Sequence, residues 1–146
     1  MLAPVDLLLP DEPVDGEIVG RTLGDLEVAR LRSSTNQTVH RTPGLIRSHS
    51  CGVYRVVLSL SRTAIGFEQG ENACRLVYNE LVVYDVDRPY HVHHAGTGDM
   101  DFVVVSIPRD RLPVPEGAVA AVTATALAGG VSALAGSMLR HTARDA

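Results

Sequence analysis

Val53-Tyr54-Arg55-Val56-Val57-Leu58-Ser59-Leu60-Ser61 alternates as a β-strand does. Tyr54, Val56, Leu58 and Leu60 fall on one side, and Arg55, Val57, Ser59 and Ser61 on the other. Side chains in a strand point to opposite faces in turn, so the stretch predicts one apolar face and one mixed face. Residues 64–69 answer it across a short link at Arg62-Thr63, and Gly70-Glu71-Asn72 is a turn by composition. Residues 74–78, 81–86, 90–94 and 102–107 are further strand candidates. Asn79-Glu80, Asp87-Arg88-Pro89 and the glycines of residues 96–99 separate them. Towards the N-terminus, residues 18–19, 26–31 and 37–41 read the same way, with a turn at Leu23-Gly24-Asp25. Thr42-Pro43-Gly44 interrupts, since proline cannot donate to a ladder. Many short strands separated by turn signals predict an antiparallel sandwich or barrel.

The two ends differ from this middle. Residues 1–16 hold Pro4, Pro10 and Pro13 among acidic residues and read as an extended arm. Residues 118–130 are rich in Ala, Val and Thr and have no clear period. From Val131 the apolar positions Val131, Leu134, Ala135, Met138 and Leu139 form one helical face. Arg140, His141 and Arg144 sit in the last turn, where the helix dipole favours cations. A helix this short needs cover for its stripe, so it is expected to pack on the barrel or on its copy in a second subunit. The division is an arm over 1–16, a β domain over 17–110, and an Ala-rich segment with an amphipathic helix over 111–146.

Composition limits what such a chain does. Its 146 residues suit one domain. Trp is absent, with 2 Phe and 4 Tyr, so an aliphatic core is expected. All 13 basic residues are arginine, yet the net charge is −4, which argues against direct binding of nucleic acid. Cys51 and Cys74 lack metal-ligand spacing and read as reduced buried thiols of a cytoplasmic protein. No stretch approaches the roughly 20 apolar residues that cross a bilayer, and the N-terminus lacks a basic leader region.

Several segments, in order, resemble one known family. They are Leu23-Gly24-Asp25-Leu26 leading into Val28-Ala29-Arg30-Leu31, then Arg41-Thr42-Pro43, Leu58-Ser59-Leu60 and Glu68-Gln69-Gly70. Leu81-Val82-Val83-Tyr84-Asp85, Arg88-Pro89-Tyr90 and the run from Val103 through Ile107 to Pro108-Arg109 complete the set. The pattern resembles the N-terminal sensor domain of AraC/XylS-family transcription regulators. The resemblance implies a mainly β fold, a cupin-like double-stranded β-barrel (jelly roll), followed by a C-terminal α-helix that dimerises. It implies a small-molecule effector in the barrel, a homodimer, and DNA contact through a separate C-terminal domain. No helix-turn-helix pattern fits after residue 110, so the chain reads as the sensor part alone. One departure stands out: Tyr78-Asn79-Glu80 replaces a Pro-Gly-Asp turn common in the family.

Site residues follow from alternation and chemistry. Tyr54, Val56, Leu58, Phe67 and Val83 are expected to line the cavity. Tyr84 and Tyr90 each offer a ring and a hydroxyl to a ligand, against core packing with the hydroxyl satisfied. Arg41 offers a bidentate guanidinium to a carboxylate or sugar, against a surface salt bridge to Asp85 or Asp87. Asp85 is otherwise expected to pair with Arg88 and lock a turn. His91 and His93 share one strand face, as two ligands of a metal cupin would. No Glu follows them, and three protein ligands are the usual minimum, so no metal and no cofactor is expected. Catalytic motifs are lacking, and a non-enzymatic domain is expected. The alternatives are a small metal-dependent cupin enzyme using His91 and His93, and a dimerisation module without a ligand.

Overall fold

In the computed structural model of the chain, residues 6–8, 16–34, 38–94 and 99–144 are described. The expected arm and the glycine turn at 96–98 lie mostly outside these residues. One piece of the arm, β1 (Asp6–Leu8), is a strand paired with β4 (Thr38–Arg41), so the arm contributes a sheet edge.

The strands form two antiparallel sheets of five among the described residues. Sheet A has the order β1, β4, β9 (Tyr90–His93), β6 (Ile65–Gln69), β7 (Asn72–Leu76). Sheet B has the order β2 (Gly16–Leu23), β3 (Leu26–Ser33), β10 (Met100–Pro108), β5 (Val53–Ser59), β8 (Leu81–Asp85). The expected class therefore holds: mainly β, antiparallel, with a helix at the C-terminal end. Barrel closure does not, since no ladder among the described residues joins β1 to β2 or β7 to β8. The sheets face one another as two open layers.

Local chemistry explains the connections. Pro43 opens the short helix α1 (Pro43–Ser48), where its missing N–H costs nothing, and the Thr42 hydroxyl caps it by accepting from Leu45 N at 3.2 Å. Asn79 takes the left-handed backbone (φ 73) at the turn where the family pattern has glycine. The Glu80 carboxylate then accepts the Val77 N–H at 2.9 Å, so the changed residues still close the turn.

Two cores result. Between the sheets lie Val57, Ile65, Phe67, Leu76, Val82, Tyr84, Tyr90, Val92 and Phe102. The scarce aromatics concentrate here: both phenylalanines and two of the four tyrosines. Aliphatic side chains supply most of the rest of this core and all the buried residues of the second, as the composition leads one to expect, with the rings gathered in one place. The second core lies on the outer face of sheet B, where Val28, Leu58, Leu81, Val103 and Val105 meet α3 (Gly130–Arg144) through Ala135 and Leu139. A Cβ on Gly136 would sit 3.4 Å from Leu58 Cδ1, an ordinary contact distance, so the helix lies directly against β5 at this position. Residues 118–130 resolve into α2 (Glu116–Val122) and an extended piece on the free edge of β8. Leu81 and Leu127 exchange backbone hydrogen bonds there at 2.9 and 2.8 Å.

Buried polar side chains hold the layers together at one end. Gln69 in sheet A donates to the Asp85 carbonyl at 2.7 Å and accepts from Asp85 N at 2.8 Å. Arg41, fully buried, donates to the Val86 carbonyl at 3.0 Å and also to the His49 carbonyl. The Asp85 carboxylate pairs with Arg109 rather than the expected Arg88. Arg109 follows β10 directly, while the turn at Arg88 closes through its own backbone, N–H to the Asp85 carbonyl at 3.3 Å.

Candidate functional site

The inward faces of the two sheets enclose a cavity of about 590 Å3. Sheet A contributes Val39, Phe67, Tyr90 and Val92, and sheet B contributes Arg55, Val57, Tyr84, Met100, Phe102, Val104 and Ser106. Residues of β2 and β3 complete its lining, with Glu27 in the inward row beside Ser106, while Arg21 reaches the other face of sheet B and donates to the Thr142 carbonyl of α3 at 3.0 Å. Alternation brings these together. Arg55 stands opposite Tyr84 of β8 and Ser106 of β10, so the three form one inward row across adjacent strands.

The walls are largely apolar and aromatic. Phe67 lies 6.0 Å from both Tyr84 and Phe102, and Tyr84 lies 4.7 Å from Tyr90, measured between ring centroids. Into this wall the fold places a guanidinium. Arg55 is only 7% exposed, and its Nε donates to Ser106 Oγ at 3.3 Å. Burial works against the Arg55 charge, but the neighbouring Tyr84 and Tyr90 phenols outweigh it, and the group stays protonated. Burial likewise pushes the Tyr90 phenol well above its ordinary range, so it remains a neutral donor.

The residues expected from sequence divide between the two faces. Phe67 and Tyr90 line the cavity. Tyr54, Val56, Leu58 and Val83 do not; they share the outer face of sheet B. Both faces of β5 are buried, so hydrophobic alternation marked the strand without telling inside from outside. The more apolar face turned out to be the one under α3, where Arg109 also lies over the Tyr54 ring at 4.7 Å. Arg41 is structural in position: it ties the sheets together and lies 3.8 Å from Asp87, a buried version of the expected salt bridge.

His91 and His93 alternate with the cavity-facing Tyr90 and Val92 and so face away from the cavity. The His91 ring packs edge-on against His40 at 3.9 Å between centroids, with Glu68 Oε2 3.8 Å from its Nδ1. His93 covers Gly66, where a Cβ would come within 2.2 Å of its Nε2. Among the described residues, no three His, Cys, Asp or Glu side chains converge as metal ligands. The cysteines are free and half-buried, as single thiols.

On α3 the stripe splits. Ala135 and Leu139 pack on sheet B, while Val131, Leu134 and Met138 are exposed. Tyr84, weighed with Tyr90 as a ligand contact, also lines the cavity, and the sequence missed Arg55, Phe102 and Ser106. A charged residue inside an apolar strand was the available signal, since burying a charge is costly without a purpose.

Comparisons with known proteins place this architecture. The family profile of the AraC-binding-like domain matches residues 1–146. The crystal structure of the AraC-like transcriptional activator CuxR superposes with a TM-score of 0.81 at 19% identity, over 94% of this chain and 51% of that one. The chain thus spans about half the length of that activator. A Cupin_2 domain of an XRE family transcriptional regulator from Enterobacter cloacae matches at a TM-score of 0.50 and 14% identity, over 64% of this chain and 98% of that one. An HTH_3 family transcriptional regulator from Vibrio cholerae matches at 0.51 and 16%, over 64% and 52% respectively. At these identities the likenesses show the fold. No curated protein matches the sequence significantly. No helix among the described residues is long and apolar enough to cross a membrane.

Proposed function

The chain belongs to the AraC-binding-like domain family, and from that premise we propose that it is the effector-binding and dimerisation part of an AraC-type transcription regulator acting in the cytoplasm. One observation carries this reading: the cavity of about 590 Å3 between the sheets, walled by aromatic side chains around a buried guanidinium. That size suits a small ligand, and a mostly apolar wall with few placed polar groups is how such ligands are held. Tyr90, Tyr84 and Phe67 are the contacts retained from sequence, joined by Arg55 and Phe102.

Occupancy would act on the helix that covers the outside of sheet B. Val131, Leu134 and Met138 present an apolar row to solvent, and a second copy of the same row is its proposed cover. The effector then favours one arrangement of two such domains, and contact with DNA falls to a helix-turn-helix domain of the regulator. A thermal-shift panel of neutral, acidic and basic small molecules tests the cavity. At least one compound should raise the melting temperature of the wild type and lose its effect in Val57→Trp, which fills the cavity from inside. A panel in which no compound shifts the wild type refutes the reading.

A further inference from the structure

We propose that residues 123–127 are a strap that follows the spacing of the two sheets and holds or releases α3 accordingly. Its use as a regulatory route rests on the cavity being the effector site, whereas the strap itself can be tested without a ligand.

Strands β7 and β8 end the two sheets on one side, and among the described residues no ladder joins them. The chain that leaves α2 bonds to both. Towards sheet B, Ala124 N–H donates to the Val83 carbonyl at 2.9 Å, and Leu81 and Leu127 exchange backbone bonds at 2.9 and 2.8 Å. Towards sheet A, Asn72 Nδ2 of β7 donates to the Thr123 carbonyl at 2.9 Å. A run of backbone bonds on one side faces a side-chain bond on the other, so a widening gap strains the Asn72 tie first.

Burial and backbone strain mark the same segment. Thr123 and Ala124 are each 1% exposed. Ala124 holds the left-handed backbone (φ 50), which brings its Cβ close to the following carbonyl oxygen. Such a conformation persists only where its surroundings enforce it. Here they are the core between the sheets, which Ala124 shares with Phe67 and Tyr84 of the cavity wall. Leu127 packs instead on the outer core, as Ala135 and Leu139 of α3 do. The strap thus runs from the inner core to the outer one.

Its join to α3 is short and built to turn. Gly129 and Gly130 follow at φ 76 and φ 50, and a Cβ at either meets nothing within 4 Å among the described residues. Glycine serves the backbone there rather than space, and the pair makes a pivot. Beyond the pivot, α3 crosses sheet B, passing Leu58 of β5 at Gly136 and ending where Arg21 of β2 donates to the Thr142 carbonyl at 3.0 Å. Val131, Leu134 and Met138 are exposed, so packing alone anchors α3 lightly and the strap fixes its first turn. A ligand that spreads the inner core loosens Ala124, slackens the strap and lets α3 swing. Coupling is reciprocal, so undocking α3 slackens the strap as well.

Native-state amide exchange of the full chain, read residue by residue by NMR without ligand, tests this. In the wild type, the amides of Ala124, Leu127 and α3 should open together, with one dependence on urea, and more easily than the β3–β10 ladder. Asn72→Ala should raise exchange about three- to tenfold at Leu127 and along α3, although its lost bond is to residue 123. Leu139→Ala should raise exchange at Ala124 by a similar factor. A rise confined to the element that carries the substitution overturns the strap. Should a variant not fold, the wild type decides, because separate openings of the strap and α3, or opening only with the ladder, overturn it too. Coupled exchange beside a compound panel without a hit upholds the strap and refutes the effector reading. Uncoupled exchange beside a compound that shifts the wild type does the reverse.

Discussion

The Nε of Arg41 donates to the carbonyl of Val86 at 3.0 Å, so a side chain of sheet A ends on the backbone of the segment that follows sheet B. Gln69 makes a parallel tie to Asp85 one residue away. A cation is fully buried here for a structural task, with Asp87 3.8 Å distant and the His49 carbonyl as a further partner.

Removing it should be costly. Arg41→Ala leaves the Val86 and His49 carbonyls without this donor and removes a cation from beside Asp87, and the expected loss is about 3–5 kcal/mol of unfolding free energy. Arg41→Lys should recover part of this, because an ammonium keeps the charge but not the fork. Urea denaturation of the three proteins measures it. A loss in Arg41→Ala below about 1 kcal/mol, the size of an ordinary surface change, would show that the tie is not structural.

Gly66 and His93 form a second close relationship, this one steric. A methyl group at 66 meets the imidazole at 2.2 Å and must displace it. Gly66→Ala should destabilise by about 1–3 kcal/mol, as overpacking does. Combined with His93→Ala, most of that should return, giving a coupling of opposite sign to the single change. Additive effects in the double-mutant cycle would contradict the contact.

The two sides of α3 should behave differently under mutation. Met138→Glu and Leu134→Glu change exposed residues and should leave monomer unfolding within about 0.5 kcal/mol of the wild type while dissociating a dimer in sedimentation experiments. Leu139→Ala removes a side chain packed on sheet B and should lower stability without this selective effect on assembly. A wild type that sediments as a monomer at every concentration would refute the role of the exposed row.

His94 gives the fold an acid-sensitive point. Its Nε2 lies 2.8 Å from the Thr63 hydroxyl, and Nδ1 has no hydrogen-bond partner among the described residues. Burial pushes the imidazole below its ordinary value, against a raising pull from Asp99. Folding thus favours the neutral ring. The stability it contributes is complete above the ordinary histidine pKa of about 6.5 and is lost as pH falls from there through the lowered folded value. Urea midpoints should drop from pH 7.5 to 5.5 in the wild type. His94→Gln should flatten that part of the slope, and an unchanged slope would assign it to other groups.

How much of this was legible in the sequence depended on where the deciding information lay. Strands were legible because turns and alternation are local: the Leu23-Gly24-Asp25 turn sits between β2 and β3 as read. The inner face of β5 was not, since Val56 and Leu58 share a cluster with a helix more than seventy residues away in the chain and Tyr54 lies under Arg109. With both faces covered, the face rich in aliphatics looked like the inside, and the face with Arg55 and Ser106 as neighbours looked like the outside. The same non-local cover divided the helix stripe, because only Ala135 and Leu139 of the five apolar positions meet the sheet. The pairing of Asp85 with Arg109 instead of the nearby Arg88 is another case, built by strand pairing across the sheet.

Strand β5 is a diaphragm. Arg55 and Val57 touch the cavity on one side, and Leu58 touches the helix at Gly136 on the other, with a single thickness of backbone between them. Under the proposed function, the wall that would feel the effector is the same wall the helix leans on, so no chain of intermediates separates the two.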